Sequence, residues 1–348
     1  MPFGHIYNLI LKVRAAMYRK GIAHSHDLGV PVISVGNITV GGTGKTPLVA
    51  FVAKVLAENA KNNCKVCILT RGYKRENPNE RVVVSDGKTV LVDAKKSGDE
   101  PFELAQDLLG IAAVIADKDR ASAATWAKEN LGSEAFILDD GFQHFKLKRS
   151  LDLVTIDATN PFGNGWLLPQ GTLREPVGNL ARADAVILTR SDLAEDPDEI
   201  RKRIRAYVPH KPLFISRNKT SAIIPLSGLF AGSTENPTAV PAPEKASEKA
   251  LASCALGNPA GFFRQLEREG FNVVKTRSFP DHHAYTQKDA AALEELARQN
   301  SAEILLTTIK DAVKLKDLNF SIPCFVVKSE LVFDDEKGLR DLIAKALT

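Results

Sequence analysis

Cysteine and long apolar runs are both scarce in this chain. Its 348 residues include four cysteines, too few for a disulfide framework at this length, so we expect a reducing compartment. Cys64 and Cys67 form a C-x-x-C pair beside a predicted strand. Strand residues three apart point to opposite faces, so we expect buried structural thiols rather than a metal or redox site. No apolar run approaches the roughly 18 to 20 residues that a membrane-spanning helix needs.

Acidic residues are absent from the first 26 positions, which contain Lys12, Arg14, Arg19 and Lys20. The net charge of +4 therefore lies in this segment, and the other residues balance 42 cations against 42 anions. A balanced remainder argues against a general nucleic-acid surface.

The same segment, residues 1–26, has the pattern of an amphipathic helix. Its apolar residues recur near a 3.6-residue period: Phe3, Ile6, Tyr7, Ile10, Val13 and Met17. The charges follow the apolar residues rather than precede them, so we do not expect a secretory signal. An apolar stripe with aromatics and a cationic flank suits a helix lying in an anionic membrane surface. A helix packed on the protein's own core fits the periodicity equally well.

A glycine-rich motif, TVGGTGKT, occupies positions 39–46 between a β-branched apolar run at 30–38 and an amphipathic run that begins at Pro47. Strand, glycine-rich turn, Lys-Thr and helix is the arrangement that holds nucleotide phosphates. The usual pattern opens with a glycine where this chain has Thr39. A glycine-rich turn capping an ordinary helix is the structural alternative.

Each position of the motif has an expected contribution to phosphate binding. The candidate residues are Gly41, Gly42, Thr43, Gly44, Lys45 and Thr46. The glycines let backbone N–H groups point inward, since no Cβ obstructs them. Lys45 can reach the β- and γ-phosphates, and Thr46 can supply a hydroxyl to Mg²⁺.

Alternating apolar runs and helical patterns predict an α/β fold with a mainly parallel sheet. Predicted strands follow the motif at 66–70, 112–116, 135–138, 153–157 and 185–189, with helices at 47–57, 101–109 and 119–130. Segments 81–85 and 89–92 predict a small hairpin. A boundary near 209–216 separates a P-loop domain, 27–211, from a smaller α/β domain, 212–348, with strands at 251–256, 304–308 and 324–327. Residues 232–250, rich in Pro, Ala, Ser, Glu and Lys, predict an exposed or disordered insertion.

Acidic residues follow two of these features. The predicted strand 135–138 runs into Asp139 and Asp140, where a parallel sheet would place a Mg²⁺-organising carboxylate, although aspartates also form turns. Asp99 and Glu100 precede a helix with Pro101 in its first turn, and either could be a helix cap.

Two further short segments are ambiguous on their own. Asp281 precedes His282, and a neighbouring carboxylate can tune imidazole basicity as a hydroxyl-activating base requires. The run 189–192, Thr-Arg-Ser-Asp, is weakly similar to the base-reading motif of GTPases, with Arg in place of Lys.

Together these segments resemble the tetraacyldisaccharide 4′-kinases, the lipid A 4′-kinases of Gram-negative bacteria. The resemblance rests on Val35-Gly36-Asn37 with GGTGKTP, Thr70-Arg71-Gly72-Tyr73, Gly98-Asp99-Glu100-Pro101, Ala116-Asp117-Lys118-Asp119-Arg120, LDDGFQH at 138–144, Asn164-Gly165, Leu168-Pro169, GxLREP at 171–176, Gly257-Asn258-Pro259 and Phe279-Pro280-Asp281-His282. The combination of DDGFQH with GxLREP is far more specific than the phosphate loop. This chain has Thr308-Ile309-Lys310-Asp311 where the family commonly has Thr-Glu-Lys-Asp, and its Pro-rich insertion is longer than usual.

The resemblance implies ATP- and Mg²⁺-dependent phosphorylation of the 4′-hydroxyl of a tetraacylated glucosamine disaccharide 1-phosphate. It also implies a monotopic protein on the cytoplasmic face of the inner membrane, with the nucleotide in a cleft between the two domains. This favours the membrane interpretation of residues 1–26, because the substrate's acyl chains must stay in lipid.

The resemblance also implies roles for individual residues. Asp99 would accept the sugar hydroxyl proton, and His282 would pair with Asp99 and raise its basicity. Thr46, Asp139 and Glu100 would organise Mg²⁺ directly or through water. Weaker candidates for phosphate or sugar contacts are Arg71, Arg120, Gln143, His144 and Arg174.

Two other classes of function remain open from the sequence. A P-loop GTPase or ATPase that assists metal or cofactor insertion would share the phosphate loop and the run 189–192. It would not explain the amino-terminal pattern or the pair Asp281-His282. A regulatory module that binds nucleotide without turnover would be insensitive to Asp99→Ala.

Overall fold

The computed structural model describes residues 2–59, 65–229 and 247–347. Cys64 and most of the predicted insertion lie outside these ranges, and a strand begins at Ala250, the last residue of that insertion. The chain forms two compact units, residues 1–217 with 332–348, and residues 218–331.

The regular elements alternate along the chain. The strands are β1 Val32–Asn37, β2 Val66–Thr70, β3 Val82–Ser85, β4 Ala112–Ala116, β5 Ala135–Asp139, β6 Leu151–Asp157, β7 Ala185–Thr189, β8 Leu213–Pro225, β9 Ala250–Cys254, β10 Val273–Ser278, β11 Ile304–Thr308 and β12 Cys324–Phe333. The helices are α1 Pro2–Arg19, α2 Lys45–Asn59, α3 Ala94–Ser97, α4 Asp99–Asp107, α5 Arg120–Asn130, α6 Pro197–Tyr207, α7 Pro259–Arg268, α8 Gln287–Gln299, α9 Ile309–Leu315 and α10 Glu336–Lys345.

The first unit contains a sheet in the order β3-β4-β2-β5-β1-β6-β7-β8. Every neighbouring pair is parallel except β3 with β4. Strands β1, β2, β4, β5, β6 and β7 are buried along their whole length, as expected for a parallel sheet covered on both faces. The α/β class and the mainly parallel sheet predicted from the sequence are confirmed.

The predicted hairpin at 81–85 and 89–92 forms only as a short antiparallel contact. Ser85 and Val90 make an isolated bridge, and the Leu91 N–H donates to the Val84 carbonyl at 2.8 Å, whereas β3 itself pairs with β4 in the sheet. The turn at Asp86-Gly87 does form, because the Asp86 carboxylate accepts hydrogen bonds from the N–H groups of Lys88 and Thr89. The local turn signal therefore identified the turn and the short pairing across it, but not the pairing of β3 with β4.

The end of the chain belongs to the first unit, unlike the expected division into 27–211 and 212–348. The Phe51 and Phe333 rings lie 4.7 Å apart, and Arg340 donates to Glu58 at 2.7 Å, so α10 packs on α2. Local sequence patterns do not predict that α10 packs on α2, because this packing depends on contacts between residues nearly 300 positions apart.

The second unit has its own parallel sheet in the order β10-β9-β11-β12. Strands β9 and β11 are fully buried, and the core includes Phe262, Leu266 and Leu306. The sequence predicted β9, β11 and β12 but not β10, whose residues are half-buried or exposed and lack a continuous apolar run.

Helix α1 presents an apolar face to solvent. Ile10, Val13 and Met17 are 59%, 51% and 40% exposed. Elsewhere on the helix the Tyr18 ring lies 5.5 Å from the Phe145 ring, so α1 is held to the first unit by a different set of residues. The predicted core-packing alternative therefore fails for these three residues; the side chains of Phe3, Ile6 and Tyr7 lie outside the described set. Among the described helices, none has the length and apolarity to cross a membrane.

Gly36 allows β1 to approach the loop after β5. A Cβ at this position would lie 2.6 Å from the backbone nitrogen and the Cβ of Phe142. We expect Gly36→Ala to lower the free energy of unfolding by about 1 to 3 kcal/mol, because the neighbouring backbone must shift. Gly178→Ala is the matched control, since nothing lies within 4 Å of its Cβ position. Equal unfolding midpoints in urea for both variants would contradict this close approach.

Candidate active site

The phosphate loop joins β1 to α2, which begins at Lys45. Gly41 and Gly44 have φ angles of 107° and 80°, a region that favours glycine. No atom lies within 4 Å of a Cβ built on Gly41 or Gly42, so space for a ligand borders this part of the loop. The predicted strand, loop and helix are therefore present in the expected order.

Side chains from β7 and the turn after it hold the loop's carbonyl groups. Thr189 Oγ1 donates to the Thr43 carbonyl at 3.0 Å, and Arg190 Nη1 donates to the Gly42 carbonyl at 2.8 Å. Arg190 also forms an ion pair with Asp157 at the end of β6. These contacts give the run 189–192 a supporting role under the loop, which the sequence did not predict.

The Thr43 side chain faces the protein interior. It is 4% exposed, accepts a hydrogen bond from Asn37 Nδ2 at 3.0 Å and lies 2.8 Å from Thr155 Oγ1. Thr43 can therefore offer a ligand only its backbone, and its hydroxyl fixes the loop to β1 and β6.

Asp139 ends β5 at the edge of the sheet where β1 enters the phosphate loop. It is 4% exposed and accepts a hydrogen bond from Thr70 Oγ1 at 2.9 Å. Burial, together with the nearby charges of Glu100 and Asp140, raises its pKa from 3.8 to about 6. A buried carboxylate opposed by like charges is a position that a bound cation stabilises.

Asp140, which the sequence analysis gave no role, is the anionic centre of the site. Its φ of 51° turns the chain sharply after β5. Its carboxylate lies 3.7 Å from Lys45 Nζ and accepts from Arg174 Nη1 at 2.6 Å. Burial opposes ionisation, but Lys45 and Arg174 hold its pKa below the usual value. In the sequence, the pair Asp139-Asp140 was the only indication of this arrangement. The two carboxylates have different contacts because the chain turns sharply at Asp140.

The structure places the weaker candidates around this turn. Arg120 Nη1 donates to the carbonyls of Asp139 and Asp140 at 2.8 and 3.1 Å. Gln143 Nε2 donates to the Asn37 carbonyl at 2.9 Å, which ties the turn to β1. Arg120 and Gln143 thus have clear structural roles.

His144 and Arg71 differ in exposure. His144 is buried, and burial together with Arg120 lowers its pKa to about 3, so the ring is neutral near pH 7. Within the described part of the chain its Nε2 atom has no hydrogen-bond partner. Arg71 is exposed, and its charge contributes to lowering the pKa of Arg120.

Asp99 and Glu100 occupy the first turn of α4. The residue preceding the helix is Gly98, with a φ of 92°, so neither acid is the cap that the sequence left as an alternative. Both are half-buried, and the charge of Glu100 raises the pKa of Asp139. Glu100 is thus close enough to Asp139 for its charge to act on it, and a cation site shared by the two stays a prediction.

His282 lies in the second unit, in the segment between β10 and α8. Its Nε2 atom is 3.8 Å from Asp281 Oδ2, and its φ is 64°. Asp99 belongs to the first unit, and the pairing of Asp99 with His282 stays a prediction.

Comparison with known proteins identifies the family. The sequence matches the tetraacyldisaccharide-1-P 4′-kinase (LpxK) family over residues 1–348. The chain belongs to this family. Among curated relatives, the tetraacyldisaccharide 4′-kinase of Halothermothrix orenii is 38% identical, with 98% of this chain and 90% of the relative covered. That of Geobacter metallireducens is also 38% identical, covering 98% and 95%.

A solved structure supports the fold. LpxK from Aquifex aeolicus, described as an "apo" form in complex with ATP, is 33% identical with a TM-score of 0.77, covering 100% of this chain and 98% of that one. The family match favours the kinase over the GTPase or ATPase alternative, as does the supporting role of the run 189–192.

The Asp139 carboxylate should make the protein's stability depend on pH. A raised pKa means that ionisation disfavours the folded state, so stability is lost as the pH rises from 3.8 through about 6. We expect Asp139→Asn to stabilise the protein above pH 6, by up to about 3 kcal/mol, and to change little near pH 4.

Thermal unfolding between pH 4 and 8, without metal or nucleotide, measures the effect. Asp140→Asn is the matched control with the opposite sign, because the lowered pKa of Asp140 stabilises the folded state at neutral pH. An Asp139→Asn protein less stable than the wild type at pH 7.5 would contradict the assignment.

Proposed function

We propose that this protein transfers the γ-phosphoryl group of ATP to the 4′-hydroxyl of tetraacyldisaccharide 1-phosphate, a step of lipid A biosynthesis. The observation that carries the proposal is a phosphate loop whose Lys45 lies 3.7 Å from Asp140, in a chain that matches the kinase family from end to end. The 4′-oxygen attacks the γ-phosphorus, the bond to the β-phosphate oxygen breaks, and ADP leaves.

The phosphates would bind to the backbone N–H groups of residues 41–46 and to the Lys45 ammonium. Lys45 pairs with Asp140, and Asp140 is also held by Arg174. Lys45 can therefore turn to the β- and γ-phosphates while Arg174 keeps the Asp140 charge compensated. Donors fixed before the reaction stabilise developing charge without the cost of reorganisation.

The donor set fits Mg²⁺. The charge of Glu100 raises the pKa of Asp139, and Thr46 lies in the first turn of α2. Within the described ranges no group of three or more histidine, cysteine or acidic side chains is placed to hold a metal ion. Mg²⁺ in kinase sites is usually bound by one or two carboxylates, together with phosphates and water. When bound, it neutralises charge on the phosphates.

We assign the proton of the 4′-hydroxyl to Asp99, with His282 as the group that pairs with it and raises its basicity. Asp99 lies in the first turn of α4, at the positive end of its dipole, where an ionised carboxylate is favoured, and it is half-buried. Arg71 and His144 remain candidates for sugar or phosphate contacts, because one is exposed and the other carries a buried ring nitrogen without a described partner.

Helix α1 would lie in an anionic membrane surface, at the cytoplasmic face of the inner membrane. Its exposed apolar face at Ile10, Val13 and Met17 supports this assignment, as does the surplus of cations in residues 1–26. The substrate's acyl chains would stay in the bilayer while the disaccharide reaches the site.

Loss of Lys45 should damage turnover more than loss of the base, because phosphoryl transfer depends mainly on charge neutralisation. We expect Asp99→Asn to lower kcat at least about 100-fold, and Lys45→Ala to lower it further. The assay follows labelled γ-phosphate from ATP to the lipid acceptor in detergent micelles. Folded Lys45→Ala with near-normal turnover would exclude the assigned site. Leu109→Ala, an exposed leucine outside it, is the control.

The double variant Ile10→Glu/Val13→Glu should lose most of its binding to anionic vesicles, because two exposed apolar side chains are replaced by charges that anionic lipid repels. Leu109→Glu is the matched control, an exposed leucine on the first unit that should leave vesicle binding unchanged. Co-sedimentation with vesicles of phosphatidylglycerol measures the bound fraction. Equal binding of all three proteins would show that α1 is not the membrane contact.

A further inference from the structure

The segment between β10 and α8 carries Asp281 and His282 without being helix or strand. His282 has a left-handed backbone, which costs roughly 1 to 2 kcal/mol for a residue with a Cβ. Such a conformation persists only where the surrounding structure holds it. The contacts that hold this segment therefore bear on the placement of the His282 imidazole.

The segment is fixed at both ends to the core of the second unit. Phe279 N–H donates to the Cys254 carbonyl at the end of β9, at 2.9 Å. Tyr285, at the other end, is buried, and its ring lies 5.0 Å from the Phe279 ring and 5.1 Å from the His283 ring. The residues on either side of Asp281-His282 thus pack on each other.

Asp311 is a fully buried carboxylate at the centre of these contacts, with 0% exposure. It accepts hydrogen bonds from Tyr285 Oη at 3.1 Å, from Ala255 N–H at 3.1 Å and from Thr308 Oγ1 at 2.7 Å. One side chain therefore joins the end of β9, the start of α9 and the end of the His282 segment. A buried carboxylate with several donors is a rigid connection, because losing any donor leaves charge uncompensated.

The residue before Asp311 holds the other part of the same segment. Lys310 Nζ donates to Asp281 Oδ1 at 2.8 Å, and the second oxygen of Asp281 lies 3.8 Å from His282 Nε2. The first turn of α9 therefore contacts the segment on both sides of His282. Lys310 binds Asp281, and Asp311 accepts a hydrogen bond from Tyr285.

We propose that Asp311 is a positioning residue for phosphoryl transfer: through the Tyr285 hydroxyl it fixes the segment that presents His282. The inference rests on the proposed function, in which His282 acts with the catalytic base. The hydrogen bonds described for Asp311 are with Ala255, Tyr285 and Thr308, all in the second unit.

Tyr285→Phe tests the connection with the smallest change, since it deletes one hydroxyl and keeps the ring contacts. We expect kcat for the lipid acceptor to fall about 10-fold or more while KM for ATP stays unchanged, because a displaced imidazole affects the chemical step. Ser321→Ala is the matched control. It also removes a hydroxyl that donates to a carboxylate of the second unit, that of Glu294 at 2.7 Å, but this pair is not among the contacts that hold the His282 segment, and kcat should stay unchanged.

A double-mutant cycle with His282→Ala separates positioning from general stability. If Tyr285 acts through His282, Tyr285→Phe lowers kcat in the wild type and has no further effect in the His282→Ala background. Multiplicative losses, an unchanged kcat in Tyr285→Phe, or an equal loss of kcat in Ser321→Ala would each overturn the proposal. A wild-type enzyme that fails to phosphorylate the lipid would instead refute the proposed function.

Discussion

Negative charge buried at the end of β5 is the constraint on which the rest of the active site depends. A carboxylate removed from water costs several kcal/mol unless cations and hydrogen bonds compensate it. Asp139 is only partly compensated, and its pKa is raised to about 6, whereas Asp140 is fully paired with Lys45 and Arg174. The two adjacent aspartates thus differ in charge compensation. Asp139 carries a raised pKa, and Asp140 forms ion pairs with Lys45 and Arg174.

The parallel sheet fixes the groups around the phosphate loop in place. Parallel strands bring their carboxyl ends to one edge, so β1, β5, β6 and β7 all deliver polar groups beside the phosphate loop. Thr189 and Arg190 donate hydrogen bonds to carbonyl groups of the loop, and Asn37 donates one to the Thr43 hydroxyl. With the carbonyls engaged, the N–H groups are left to face a ligand, which is what anion binding requires.

The parts of the fold that were predictable from the sequence are those set by local periodicity. The buried strands of the central sheet and the strand-loop-helix at Lys45 could be predicted, because apolar runs and glycine positions encode them directly. The pairing of β3, the return of α10 onto α2 and the role of Asp140 could not, since each depends on contacts remote in sequence. Arg190 shows the same limit: its motif suggested base recognition, whereas its contacts are with Gly42 and Asp157.

The position of the transferred phosphate tests the account most directly. Wild-type protein would be incubated with ATP, Mg²⁺ and tetraacyldisaccharide 1-phosphate, and the lipid product analysed by phosphorus NMR. The account predicts one new phosphate monoester, on the 4′-oxygen, with the 1-phosphate unchanged. A pyrophosphate at position 1, or ATP hydrolysis with no phosphorylated lipid, would contradict it.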